Sequence, residues 1–225
     1  MRASWGDLNK GISSISYNIL NKPEQVNYTD GRKLVFTYDA TGKKLGFTAY
    51  DATSTILKQN DYVANCVYEG QVLQFIQTEE GRLIPQGNKV YEAEFYFKDY
   101  LGNIREVYKK GVNGEVEIVE EHHYYPFGMQ ISGLNIISSL KNPYLYQGKE
   151  FFDEFDLNLH YFGARMFDSQ LGRWHSNDPL IIFASPYNGM GNNPVSLVDP
   201  TGMKPGWPWN KKEYPPVWDP NNGSR

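Results

Sequence analysis

The sequence predicts a mainly β protein built from antiparallel hairpins, with very little helix. Three observations carry that expectation. The 225 residues include 17 Tyr, 12 Phe and 5 Trp beside 21 Gly and 13 Pro; aromatic side chains suit a pleated, half-buried surface, and glycine supplies the positive φ of tight turns. Apolar residues alternate: in "KLVFTYD" Leu34, Phe36 and Tyr38 share one face and Val35 and Thr37 the other, and in "AEFYFKD" Phe95 and Phe97 oppose Tyr96. No window sustains the 3.6-residue apolar period of an amphipathic helix.

Along the chain, the hairpins follow one plan. "FTYDATGKKLGFTAYDA" (Phe36–Ala52) ends a strand at Tyr-Asp, turns at Gly42, and reopens on basic and apolar residues. "FYFKDYLGNIREVYKKG" (Phe95–Gly111) repeats this with Asp99, Gly102 and Arg105, and "YFGARMFDSQLGRWHS" does so with Asp168, Gly172 and Arg173. Weaker copies surround Tyr17 and the Tyr28–Arg32 turn. In each, the Asp of Asp-x-x-Gly is placed to cap the turn, and the Gly to take the left-handed position. Further turns fall at Glu79–Arg82 and Asn113–Glu115, and the best candidates for short helical turns are Phe151–Leu157 and Leu134–Leu140. After Glu121 proline and glycine become denser and the strands shorter, which predicts three regions: hairpins over 1–120, a compact core over 121–203, and a Pro/Trp-rich extended tail over 204–225, packed through Trp207, Trp209 and Trp218.

Composition removes several function classes. A net charge of -4 argues against a nucleic-acid surface, which needs clustered Lys and Arg. No apolar run approaches the roughly 20 residues of a membrane span, and the opening "MRASWGDLNKG" lacks the apolar stretch of a signal peptide. The lone Cys66 reads as a small buried apolar residue without an evident base to activate it. His122 and His123 are adjacent on a strand and so point to opposite faces, and with His160 and His175 they make no convincing metal set. No phosphate-binding loop, dinucleotide motif or nucleophile elbow occurs. The expectation is therefore a protein with neither cofactor nor metal.

The ordered series "KDYLGNIREVY", "EEHHYYPFGM", "YLYQGKEFFDEFDLNLHYFGARMFDSQLGRWHSNDPL" and "SPYNGMGNNPVSLVDPTG" resembles the RHS or YD-repeat family, and within it the RHS repeat-associated core, over roughly Asn18 to Gly202. The resemblance implies an antiparallel sheet of YD hairpins, coiled into a hollow shell and ending in an inward-spiralling plug. It implies a structural role, sealing a β-shell around or before a variable C-terminal cargo in a secreted or cell-surface bacterial protein. The implied partners are an upstream YD-repeat shell in the same or a separate chain, a toxin cargo or immunity protein, and secretion machinery. With only a few YD units, the chain reads as the C-terminal part of something longer.

In some relatives the plug cuts itself after the motif that ends at Gly202. By resemblance Asp178 of "SNDPL" matches a catalytic aspartate, Asp199 adjoins the expected cut between Met203 and Lys204, and Arg173 is placed to hold Asp178 or polarise the carbonyl. Two departures stand against this: the segment joining the motifs, "LIIFASPYNGMGNNPVSLV", has no acidic residue, and Met203 replaces a leucine. The competing reading makes Asp178 and Asp199 turn-formers before proline, their side chains capping backbone N–H groups. Arg165 and Asp168 read as a local pair or turn cap. A third reading, a surface adhesin whose exposed aromatics stack on glycans, also stays open.

Overall fold

The computed structural model describes residues 6–209. Fifteen strands and four 3-10 turns make up its regular structure, and no α-helix occurs among the described residues, as the composition and alternation predict. The chain divides into two compact units, one of residues up to Gln77 together with Glu154–Leu157, the other of Thr78–Asp153 with the chain from Asn158 onward.

The first unit is a meander of seven strands: β1 (Ile12–Tyr17), β2 (Pro23–Tyr28), β3 (Lys33–Tyr38), β4 (Lys44–Tyr50), β5 (Ile56–Val63), β6 (Cys66–Glu69) and β7 (Val72–Gln77). Each pairs antiparallel with the next. Register puts like beside like: Leu34 lies opposite Ala49 and Phe36 opposite Phe47, and these four, with Ile12, Ile15, Val26, Val67 and Phe75, are buried. Period-2 alternation puts Leu34 and Phe36 on the core face, since a one-residue slip would turn the whole set to solvent. Cys66 opens β6 half-buried rather than fully buried.

One five-residue turn recurs between strands. At Asp39 the backbone N–H bonds Lys43 O, Gly42 N–H bonds Asp39 O, and Asp39 Oδ1 accepts from Thr41 N–H and Lys43 N–H. The same bonds form at Asp51–Thr55 and Asp99–Asn103, and Asn18 supplies the cap at Asn18–Lys22. The fourth residue of the loop is left-handed, with φ of 84° at Gly42 and Gly102 and 65° at Ser54. The carboxylate satisfies two backbone donors that the sharp reversal would otherwise strand. In the Asp39 and Asp51 turns these bonds, with the threonine hydroxyls, hold the carboxyls below the usual range.

The second unit holds two antiparallel sheets. The first is β8 (Gly81–Pro85), β9 (Tyr91–Lys98), β10 (Ile104–Lys110) and β11 (Val116–Glu121). Tyr96, Ile104 and Val107 form its core, with Val119 and Tyr144 against them; Phe95 and Phe97 face outward. The second is β12 (Glu150–Phe152), β13 (Leu159–Tyr161), β14 (Met166–Asp168) and β15 (Arg173–Trp174). Such short strands bury little backbone, so aromatic packing carries the stability: Tyr146, Phe162, Phe167 and Trp174 are fully buried with Met190. Ring centroids of the Phe162–Trp174 and Phe167–Trp174 pairs lie 5.1 and 5.0 Å apart, edge to face, the geometry aromatic quadrupoles favour.

Leu134–Leu140 forms no helix. Glu121 and Ile136 exchange both backbone hydrogen bonds, and the Asn135 side chain accepts from His123 N–H and donates to Ile131 O. The polar groups a helix would need are thus already engaged. Of Phe151–Leu157, Glu154–Asp156 makes a single 3-10 turn.

Gly128 is the tightest point of the aromatic core. Its φ is +88°, and an added Cβ would lie 2.2 Å from the Tyr146 ring. Gly128→Ala therefore adds left-handed strain to an overpacked core, and is expected to cost about 2 kcal/mol. Urea denaturation checks this, and a loss under ~0.5 kcal/mol would contradict the packing described.

A buried ionic network ties the first sheet of this unit to the segment after it. The Arg82 side chain, fully buried, donates from Nε to Glu94 Oε2 at 2.6 Å, from Nη1 to Lys141 O and from Nη2 to Leu140 O. Glu120, also fully buried, lies 3.4 Å from Arg82 Nη2 and accepts from Ser138 Oγ and Asn142 N–H. His122 Nε2 lies 3.0 Å from the other oxygen of Glu120.

Candidate functional site

The site lies in the second unit, where the hairpin of β14 and β15 meets two Asp-Pro turns. Asp168 pairs with Arg173 and Phe167 with Trp174 across the hairpin. Trp174 turns into the core, so alternation sends Arg173 outward. Arg173 is exposed and donates to Asn192 Oδ1 at 2.7 Å. The arginine expected beside Asp178 is therefore not Arg173: Arg165, just before β14, takes that place. It is buried, stacks over the Trp174 ring at 4.3 Å, and donates from Nε to Gly202 O and from Nη1 to Pro186 O.

Two aspartates face this one guanidinium. Arg165 Nη1 lies 3.8 Å from Asp178 Oδ1, and Nη2 lies 3.9 Å from Asp199 Oδ2. Asp178 accepts from Leu180 N–H at 2.9 Å and Ile182 N–H at 3.4 Å. Asp199 divides its work: Oδ1 accepts from Thr201, Gly202 and Met203 N–H, while Oδ2 is buried with no hydrogen bond. Each aspartate caps a turn, and both face the one guanidinium of Arg165.

Electrostatics set the site apart from the other turns. Burial pushes the Asp199 carboxyl above the usual carboxylate range, only partly opposed by the Thr201 N–H and Arg165, whereas the Asp39 and Asp51 carboxyls, in surface turns, are lowered. Burial likewise lowers the guanidinium of Arg165, against the pull of Asp178 and Asp199. Two carboxylates facing one guanidinium in a buried place leave an excess of negative charge there.

The backbone of the expected cut passes beside this cluster. Met203 N–H is held by Asp199 Oδ1, Lys149 Nζ donates to Pro200 O at 2.7 Å, and Val198 and Gly206 exchange two backbone hydrogen bonds that close the loop containing Met203 and Lys204. The turn carrying Gly202 (φ +74°) has no room for a side chain, since a Cβ there would meet Phe162 Cβ at 2.9 Å.

The remaining candidates sit elsewhere. Asp168 Oδ1 caps the turn through Gln170 and Leu171 N–H, and Gly172 has φ +65°. His122 and His123 pair separately with Glu120 and Glu121. His160 packs between Tyr146 and Phe151, where burial pushes its imidazole down to about 3. No group of three potential metal ligands occurs among the described residues, and no helix there is long and apolar enough to cross a membrane. Trp207 and Trp209 stack on each other at 5.2 Å; Trp218 lies outside the described residues.

The fold of this chain is shared with solved Tc toxin structures. Crystal structures of TcdB2-TccC3 and TcdB2-TccC3-TEV superpose with TM-scores of 0.69 and 0.70, at 21% identity over 89% of this chain and 11% and 10% of theirs. A Photorhabdus luminescens Tc holotoxin pore structure with the mutation TccC3-D651A gives 0.68 at 19% identity over 87% of this chain and 10% of that chain.

In sequence, the chain is similar to bacterial toxin subunits and to an insect salivary gland surface protein. It is 31% identical over 43% of its length to toxin subunit YenC1 of Yersinia entomophaga, covering 10% of that protein. It is 28% identical over 87% of its length to salivary gland surface protein 1 of Aedes aegypti, covering 6% of it. The chain thus spans a tenth or less of the curated relatives it matches. No protein-family model matches it.

Proposed function

We propose that the chain is a structural segment of an exported RHS- or toxin-complex-type protein. In this reading residues 1–120 extend a β-shell as YD hairpins, 121–203 seal it as a plug, and 204–225 lead toward a C-terminal cargo. The observation that carries it is the succession in one chain of the recurring Asp-capped turn and an aromatic-cored unit ending in the Asp199–Gly202 turn. A shell also explains how outward aromatics such as Phe95 and Phe97 stay protected, because a coiled sheet leaves few free edges. The partners are then upstream YD repeats, a toxin cargo or its immunity protein, and an export machinery. Electron microscopy of the polypeptide that carries the preceding repeats tests this: particles closed at one end are expected with residues 121–203 present and open when they are deleted. Identical particles would refute the plug.

A second reading, aspartyl self-cleavage, is favoured by the buried cluster of Arg165, Asp178 and Asp199. One carboxylate takes a proton from water, the other gives its proton to the scissile group, and the Met203–Lys204 amide is hydrolysed to a new carboxylate and a new amine. Intact-mass spectrometry of the full chain checks it. Fragments of residues 1–203 and 204–225 are expected, with Asp178→Asn staying whole; an uncut wild-type chain between pH 4 and pH 8 ends this reading.

A further inference from the structure

A chain of partly buried polar contacts runs from a hairpin turn to Asp199, and neither proposed role explains it. Asp99 Oδ2 accepts from Asn103 Nδ2 at 2.8 Å. Asn103, buried, accepts on Oδ1 from Gln147 N–H at 2.8 Å. Gln147 Oε1 in turn accepts from the backbone N–H of Asp199 at 2.9 Å. The two turns also touch, since a Cβ on Gly102 would lie 3.9 Å from Gln147 C. Gln147 itself has φ 50° and ψ 29°, a left-handed conformation costly for a residue that carries a Cβ. Such strain persists where surroundings over-determine it, and it gathers at working sites.

This arrangement is asymmetric. Asp199 Oδ1 is fixed by three N–H groups from its own turn, but those bonds alone do not set where the turn sits relative to Arg165. That placement comes from outside the turn: Arg165 Nε bonds Gly202 O and Ala164 N–H bonds Thr201 O, and the loop Leu145–Lys149 adds Gln147 on the Asp199 N–H and Lys149 on Pro200 O. The loop is in turn docked on the hairpin of β9 and β10 by the Asn103 bond and by Ile104 N–H to Leu145 O.

We infer that Gln147 is a positioning residue for Asp199, and that it makes the carboxyl's approach to Arg165 depend on the folded Asp99–Asn103 hairpin. The inference rests on the self-cleavage reading for its purpose: a chain that cuts itself must not do so before its shell is built. A long-range contact, 52 residues apart along the chain, is absent until the unit has folded, so the pair of aspartates is assembled last.

The test uses the full chain as wild type, Gln147→Leu and Gln147→Glu, with two readouts. The first is the titration of the Asp199 side-chain carboxyl by carbon-13 NMR. Glutamate keeps an acceptor for the Asp199 N–H but adds a charge beside it, and is expected to raise the midpoint by about one pH unit. The second is self-cleavage against pH by intact mass, with melting temperature beside it. Leucine is expected to slow cleavage at least about tenfold, as for a misaimed catalytic group, while the fold still melts cooperatively; glutamate restores cleavage with the profile moved to higher pH. An Asp199 midpoint unchanged in both variants overturns the positioning role. A wild-type chain that never cuts, with the midpoint still moving in Gln147→Glu, overturns self-cleavage and leaves the positioning role standing.

Discussion

Arg82→Met is expected to destabilise the second unit by about 3–5 kcal/mol near pH 7, the size found when one member of a buried ion cluster is removed. The guanidinium is fully buried and makes its contacts with Glu94, Glu120 and two backbone carbonyls. Methionine fills similar volume and supplies no donor, so the loss is electrostatic rather than a cavity. It leaves Glu120 buried with Ser138, Asn142 and His122 as its neighbours.

The pH dependence follows from Glu120. Burial pushes its carboxyl up, but His122, Ser138, Arg82 and the Asn142 N–H together pull it below the usual value. A carboxyl lowered in the fold contributes stability above its unfolded value near 4.5, and that contribution is lost as pH falls through the lower folded value. Removing Arg82 withdraws part of the pull, so the deficit of the variant is greatest at neutral pH and shrinks toward pH 4. Urea titrations at pH 7 and pH 4 measure both. A loss below ~1 kcal/mol at pH 7 would mean that the network is solvated in solution. A variant with Arg82, Glu94 and Glu120 all replaced by apolar residues is expected to recover most of the loss.

Much of the fold was legible because it rests on local rules. Asp39 and Asp99 with Gly42 and Gly102 announce their turns, since the side chain that caps and the residue that turns left-handed are only three positions apart. The turn at Asp51 was harder to see, because Ser54 holds the left-handed position that glycine usually marks. Leu134–Leu140 misled for the opposite reason: its apolar spacing suits a helix, but Asn135 and a bridge from Ile136 to Glu121 engage the backbone from afar. The candidate site was half legible. Asp178 and Asp199 stand out by motif, yet their shared arginine does not, because Arg165 lies beyond hydrogen-bonding proximity in sequence and only the meeting of the hairpin with both turns brings it there. A signal was present: within "GARMFD" an arginine sits among residues that pack inward, and a charge so placed needs a buried counter-charge. Gln147 carried no such signal, since nothing in "YLYQGKE" tells that its backbone will be held left-handed.

The largest effect expected at the site is that of Arg165→Met, again about 3–5 kcal/mol at neutral pH, and here the pH signature runs differently. Arg165 is the cation placed against both Asp178 and Asp199, and without it two buried carboxylates remain. The Asp199 carboxyl already lies above its ordinary value because burial disfavours its charge. A group raised in the fold contributes stability that is full below its unfolded value, near 3.8, and is lost as pH rises through the folded one. Losing Arg165 raises the folded value further, so the variant's deficit grows from pH 4 to pH 8. Asp199→Asn should act oppositely. Its amide oxygen still accepts from the Thr201, Gly202 and Met203 N–H groups, while the excess charge disappears, so this single change is expected to stabilise the fold near pH 7 by about 1 kcal/mol. In the Arg165→Met background it should restore part of the loss. A carboxylate whose removal strengthens the fold is not there for the fold, which is the thermodynamic mark of a working residue. Thermal melts of the four chains between pH 4 and pH 8 decide the matter: if Asp199→Asn destabilises at pH 7 as much as Arg165→Met does, the cluster is a structural brace and Asp199 holds a turn and nothing more.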